Sequence, residues 1–95
     1  MEGLIMTFQV KVKVKADTLK EFAKKLMKGQ LDRSAIISET YCEKDDPSTG
    51  ISFWQANNIE EFETKFSAWR PYYENIEIKE VITAKEAMIK LFNQE

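Results

Sequence analysis

The sequence predicts an α+β fold in which strands and helices alternate as β-α-β-β-α-β and one extra helix follows. Three observations carry that expectation. An N-terminal stretch alternates strictly between apolar and other side chains. Three later stretches place apolar residues at helical spacing behind capping residues. A cluster of turn-forming residues separates the two central strands. At 95 residues the chain is shorter than one typical domain, so residues 1–95 are expected to form a single domain.

In the first strand Leu4, Met6, Phe8, Val10, Val12 and Val14 alternate with Ile5, Thr7, Gln9, Lys11, Lys13 and Lys15. One face is wholly apolar, and the other begins apolar and becomes lysine-rich. Thr18 and Glu21 then have capping-box spacing. Leu19, Phe22, Ala23, Leu26 and Met27 share a helical face and Gly29 suits the stop, so the first helix is read over about 18–28. Residues 30–34 connect to a second strand, Ala35 to Glu43. Asp45-Asp46-Pro47-Ser48-Thr49-Gly50 is the turn cluster, and Ile51 to Ala56 is a third strand, hairpin-paired with the second.

Asn58 and Glu61 repeat the capping spacing, and Ile59, Phe62, Phe66 and Trp69 form a continuous helical stripe. Pro71 disfavours helical geometry at Arg70, so this helix is expected to end there. Asn75 to Ile82 is the fourth strand, with Val81 breaking the alternation set by Ile76 and Ile78 as a bulge would. Thr83 and Glu86 form a third capping pair ahead of Ala84, Ala87, Met88, Leu91 and Phe92, a final helix over about 84–92.

Composition removes several function classes. Fourteen basic against sixteen acidic residues leave a net charge of −2, so no nucleic-acid partner is expected. No stretch approaches the roughly 18 apolar residues of a membrane span, and no membrane partner is expected. The first residues lack a basic segment followed by an apolar run, and Cys42 is the lone cysteine, so a reduced, cytoplasmic setting is expected. There is no histidine, which removes histidine bases, haem ligation and the commonest zinc sets. Asp45-Asp46 lacks the spaced oxygens of a calcium loop, Lys15-Ala16-Asp17 stands where a Cys-x-x-Cys carrier loop would be, and the glycines are isolated. Neither a metal nor a cofactor is therefore expected.

Right-handed crossovers put both connecting helices on one sheet face. The compact solution is an antiparallel sheet of order 4-1-3-2, the ferredoxin-like arrangement. Its other face is mixed in polarity. Strand two has apolar residues on both sides (Ile36 and Ile37, Tyr41 and Cys42), and strand three sets Ile51 and Phe53 opposite Trp54 and Ala56. Ile5 and Thr7 also point away from the helices. Such a sheet wants a second cover, and in a chain this short the expected cover is a second copy: a homodimer built by sheet-to-sheet pairing.

With that pairing the chain resembles the dimeric α/β-barrel superfamily, whose members join two ferredoxin-like sheets into one barrel. The resemblance spans the whole element order and is nearest to small uncharacterised domains of this type. It is carried by Ile51-Ser52-Phe53-Trp54-Gln55-Ala56 running into Phe62, Phe66 and Trp69. The isoleucine-valine strand Ile76-Glu77-Ile78-Lys79-Glu80-Val81-Ile82 and the helix start Thr83-Ala84-Lys85-Glu86-Ala87 complete it. The superfamily includes cofactor-independent monooxygenases, haem-degrading enzymes, lactone isomerases and effector-binding regulatory modules. Many of its enzymes use a histidine near the pocket, which this chain lacks. Its regulators carry a helix-turn-helix ahead of the barrel, whereas this sequence opens on the first strand.

Trp54, Trp69, Tyr41, Tyr72 and Tyr73 are the large amphipathic rings, either core and interface filler or the walls of a pocket for a planar ligand. Glu39 is a proton-transfer candidate if it faces inward, and a solubilising edge residue otherwise. In a strand, Glu39 and Glu43 lie about 13 Å apart, too far for a glycosidase-type pair. Lys11, Lys13 and Lys15 line one face, where acids of the fourth strand (Glu74, Glu77, Glu80) are the expected partners. Cys42 reads as a small core or edge residue.

The expected function is therefore a small homodimeric binding or accessory protein that takes a small hydrophobic or aromatic ligand against Trp54, Trp69 and Tyr41. The alternative is a cofactor-independent monooxygenase- or isomerase-like enzyme on a small aromatic or enolisable substrate, with Glu39 or Tyr41 handling the proton. The absence of a convergent acid-base set favours the first.

Overall fold

A computed structural model describes residues 5–93. Strand β1 (Met6–Val14) is central and buries Phe8, Val10 and Val12, the apolar face that its alternation defines. It pairs antiparallel with β3 (Thr49–Ala56) on one side and β4 (Tyr73–Val81) on the other, and β3 pairs with the short β2 (Tyr41–Cys42). Read from the β4 edge, the sheet order is 4-1-3-2, as the crossover argument requires.

The second strand is much shorter than the alternation over residues 35–43 suggests. Tyr41 and Cys42 pair with Ile51 and Gly50, and Ile36 makes an isolated bridge to Trp54. Ile37 donates its N–H to the Phe53 carbonyl at 2.9 Å, and the Gln55 N–H reaches the Ala35 carbonyl at 2.8 Å. Between these contacts, Ser38, Glu39 and Thr40 leave the ladder, and the Ser38 hydroxyl donates to the Glu39 carbonyl at 3.1 Å. Polar side chains that compete for the backbone act most freely on an edge with one neighbour.

The irregularity of β4 lies at its start and not at Val81, which pairs with Thr7 in regular register. Lys13 pairs with Asn75 and Val14 with Tyr73, so Glu74 is the additional residue. The Lys15 N–H, bonded to the Tyr72 carbonyl at 2.8 Å, draws the incoming chain against the end of β1.

Helix α1 (Leu19–Met27) follows a 3-10 turn, Ala16–Thr18. That turn diverts Thr18 from the expected capping box. Its hydroxyl donates to the carbonyls of Lys15 at 3.2 Å and Tyr72 at 3.4 Å and caps nothing. The far end closes as a Schellman motif on Gly29, at φ 68°, with Gly29 N–H on the Leu26 carbonyl and Gln30 N–H on the Lys25 carbonyl.

Helix α2 (Ile59–Phe66) is capped by Asn58, whose Oδ1 accepts the Glu61 N–H at 2.7 Å, while Glu61 reaches back to the Asn57 N–H at 2.6 Å. It ends a turn earlier than its apolar stripe suggests. The chain tightens through Trp69 N–H on the Phe66 carbonyl and enters a 3-10 turn, Arg70–Tyr72, with Pro71 inside it. Helix α3 (Ala84–Asn93) carries the full reciprocal cap: the Glu86 N–H donates to Thr83 Oγ1 and the Thr83 N–H to Glu86 Oε1, both at 3.1 Å.

The core lies between the inner sheet face and helices α1 and α2, and it is largely aromatic. Phe8 stacks on Phe62 at 4.5 Å between ring centroids, and Trp54 meets Phe66 edge-on at 5.3 Å and Trp69 at 5.5 Å. Phe62 and Phe66 of the predicted stripe are buried, whereas Ile59 stays more than half exposed. On the outer face Lys11 and Lys13 pair across β3 with Glu43 and Asp46, both at 3.4 Å, rather than with the acids of β4. Helix α3 buries none of its residues, and Met88, Ile89, Leu91 and Phe92 are exposed along it.

Candidate functional site: an apolar pocket beneath the first helix

The inner face of β3 carries Gly50, Ser52, Trp54 and Ala56 in turn. Trp54 fills the space towards α2, while Gly50 and Ser52 are too small to fill the space under α1. The result is a cavity of about 390 Å³ bounded by Val10, Val12 and Val14 of β1, by Leu19, Ala23 and Leu26 of α1, and by residues of the 33–48 segment. The departure of Ser38-Glu39-Thr40 from the sheet edge adjoins the same side, where Thr40 joins the wall. Trp54, Trp69, Phe22 and Tyr73 supply its aromatic surface.

Both indoles spend their one donor inside the protein. Trp54 Nε1 donates to Ser52 Oγ at 2.9 Å and Trp69 Nε1 to the Asp32 carbonyl at 3.2 Å. They therefore offer the cavity apolar surface. Burial alone pushes the Tyr73 phenol well above its ordinary 10.0, so it remains protonated at neutral pH. Among the described residues Arg33 is the single charged side chain on the wall.

The structure brings Trp54 and Trp69 together as the sequence reading paired them, and both line the cavity while belonging to the core. Tyr41 is elsewhere: it is 66% exposed on β2 and does not line the cavity. Glu39 is exposed in the break between the two edge contacts and is also off the wall. Cys42 is exposed and adjoins the cavity beside Gly50. The alternation Gly50-x-Ser52-x-Trp54 marks small inner-face positions beside a large one, without showing whether another segment fills the space next to them. Arg33 had no such sign, because it sits in a connection without periodicity.

Among the described residues no group of three His, Cys, Asp or Glu side chains is placed to hold a metal ion. Among them, too, no helix is long and apolar enough to cross a membrane.

The chain is similar in fold to several solved structures. One is a protein from Bacteroides thetaiotaomicron VPI-5482 provisionally named an antibiotic biosynthesis monooxygenase, with TM-score 0.58, 8% identity, and 84% of this chain covering 90% of that one. A second is a NIPSNAP family protein from Agrobacterium tumefaciens C58, with TM-score 0.57, 11% identity, and coverages of 88% and 90%. A third, from Chloroflexus aurantiacus J-10-fl, carries the same provisional monooxygenase name, with TM-score 0.54, 12% identity, and coverages of 85% and 94%. No protein-family model and no curated protein matches the chain. The likeness at such low identity is one of fold: a ferredoxin-like α+β chain, here with an apolar pocket under α1.

Proposed function

We propose that this protein is a small homodimeric binding protein, one domain per chain, whose pocket under α1 takes a small apolar or aromatic ligand. The cavity of about 390 Å³ carries this reading. Its volume is in the range of small-molecule sites, and its walls are apolar with few polar groups. Burying a ligand's apolar surface there contributes roughly 25 cal/mol per Å² removed from water. Enzymatic proton transfer has less support. Glu39 and Tyr41 are off the wall, and Tyr73 keeps its proton at neutral pH. A monooxygenase- or isomerase-like activity draws only on the names of proteins similar in fold, which is a weak warrant.

The homodimer is supported by unpartnered surface. The chain exposes 7242 Å², against about 5,700 Å² for a compact monomer of its mass. The surplus includes Ile5, Ile37 and Tyr41 and the apolar residues of α3. A second copy, bringing the same surfaces, covers both.

A thermal melt against the neutral probe 2-naphthamide tests the pocket. The midpoint is expected to rise with ligand concentration, and Ala23→Trp, at an exposed position on the wall, is expected to abolish the rise. A midpoint indifferent both to this amide and to the matching acid, 2-naphthoate, sinks the pocket reading. Light scattering at micromolar concentration is expected to give twice the 11.1 kDa chain mass. Ile5→Lys is expected to weaken association about tenfold. A monomeric parent contradicts the dimer.

A further inference from the structure

We propose that the occupant of this pocket is an acid, an apolar body carrying one carboxylate-type head that meets Arg33 at the wall. The inference rests on the pocket reading above and adds the ligand's charge.

Among the described residues Arg33 is the only charged side chain lining the cavity, and no Asp or Glu of these residues lines it. None of the four ion pairs among the described residues involves Arg33. Its sequence neighbour Asp32 is engaged elsewhere: Oδ1 accepts the Ser34 N–H at 2.9 Å, and Lys65 lies close enough to help hold the carboxyl below its usual range. The hairpin acids Glu43 and Asp46 are matched by Lys11 and Lys13. The exposed guanidinium thus has no ion-pair partner among the described residues and stands beside a mostly apolar wall.

The backbone beneath it is held in place. The Asp32 carbonyl accepts Trp69 Nε1 at 3.2 Å, and the Arg33 carbonyl accepts the Ile36 N–H at 3.0 Å. A planar fork of donors on a fixed base suits a carboxylate, whose two oxygens match it bidentately. A cationic ligand is repelled, and a neutral one gains nothing from the charge.

Calorimetric titration of the full chain with 2-naphthoate and with its neutral isostere 2-naphthamide tests this. The acid is expected to bind about tenfold more tightly than the amide. Arg33→Gln is expected to erase that advantage while leaving amide affinity within about twofold, and Arg33→Lys to retain part of it. Raising salt from about 0.02 to about 0.5 M is expected to weaken the acid alone. Equal affinities for the two probes, or acid binding untouched by Arg33→Gln, overturn the charge assignment while the pocket stands. Failure of both probes to bind removes the pocket reading and this inference with it.

Discussion

Trp54 and Ser52 lie two residues apart on the inner face of β3, and the indole N–H of Trp54 donates to the Ser52 hydroxyl at 2.9 Å. Trp54 is 1% exposed, so this local bond satisfies the one polar atom of the ring. Ser52 thereby does two things: it is small enough to leave the cavity open, and it makes a buried tryptophan tolerable next to that cavity. Ser52→Ala is expected to cost about 1–2 kcal/mol by leaving the donor unpaired. In a domain of this size each kcal/mol lowers Tm by about 4–8 °C. In a Trp54→Phe background the same change is expected to cost much less, and a double-mutant cycle by denaturant unfolding measures the difference.

Asp46 is expected to contribute to stability on the acid side. Its oxygens accept from the hydroxyls of Ser48 and Thr49, both at 2.7 Å. Those bonds, with Lys13 nearby, lower its pKa from 3.8 to about 2. The folded value lies below the unfolded one, so the contribution is complete above about pH 4 and is lost as pH falls through about 2. Asp46→Asn is expected to flatten the urea midpoint across that window. An unchanged slope between pH 4 and 2 contradicts the assignment.

Gly29 separates conformational cost from steric cost. It ends α1 at φ 68°, yet a Cβ built there meets nothing within 4 Å. Gly29→Ala is therefore expected to destabilise by about 1 kcal/mol through backbone strain alone. Gly29→Asn is expected to cost less, because asparagine tolerates the left-handed region. Equilibrium unfolding of the two variants checks the order.

Two capping patterns that look alike in sequence are expected to behave differently. Asn58 Oδ1 caps α2, and Asn58→Ala is expected to cost about 1 kcal/mol. Thr18 makes no cap, and its hydroxyl bonds to the Lys15 and Tyr72 carbonyls are long. Thr18→Ala is expected to cost less than half as much. Equal losses in chemical denaturation refute the distinction.

The legible parts of the fold were those with a local period. Phe8, Val10 and Val12 turn inward because strand side chains alternate, and a central strand with neighbours on both sides has no freedom to do otherwise. The edge was less legible. Ile36, Ile37, Tyr41 and Cys42 look like one strand, but Ser38-Glu39-Thr40 had only one neighbour to hold it and left the ladder. The bulge sits beside Glu74 instead of Val81 because the incoming chain is tied through Lys15 to Tyr72. In the site, Trp54 and Trp69 were legible as a pair, since both lie on well-defined inner faces. Tyr41 has comparable ring chemistry, but its position on the short edge strand puts it outside the wall.

By itself the sequence determined the order of strands and helices, the inward face of β1 and two of the three helix caps, all of which depend on residues within a few positions of one another. Only the tertiary structure decided that a void lies beside Gly50 and Ser52 and that Arg33 stands at its wall with no ion-pair partner among the described residues. A cavity is what remains when segments far apart in the chain fail to fill a shared space. No local pattern encodes that failure, and none encodes which lone charge ends up beside it.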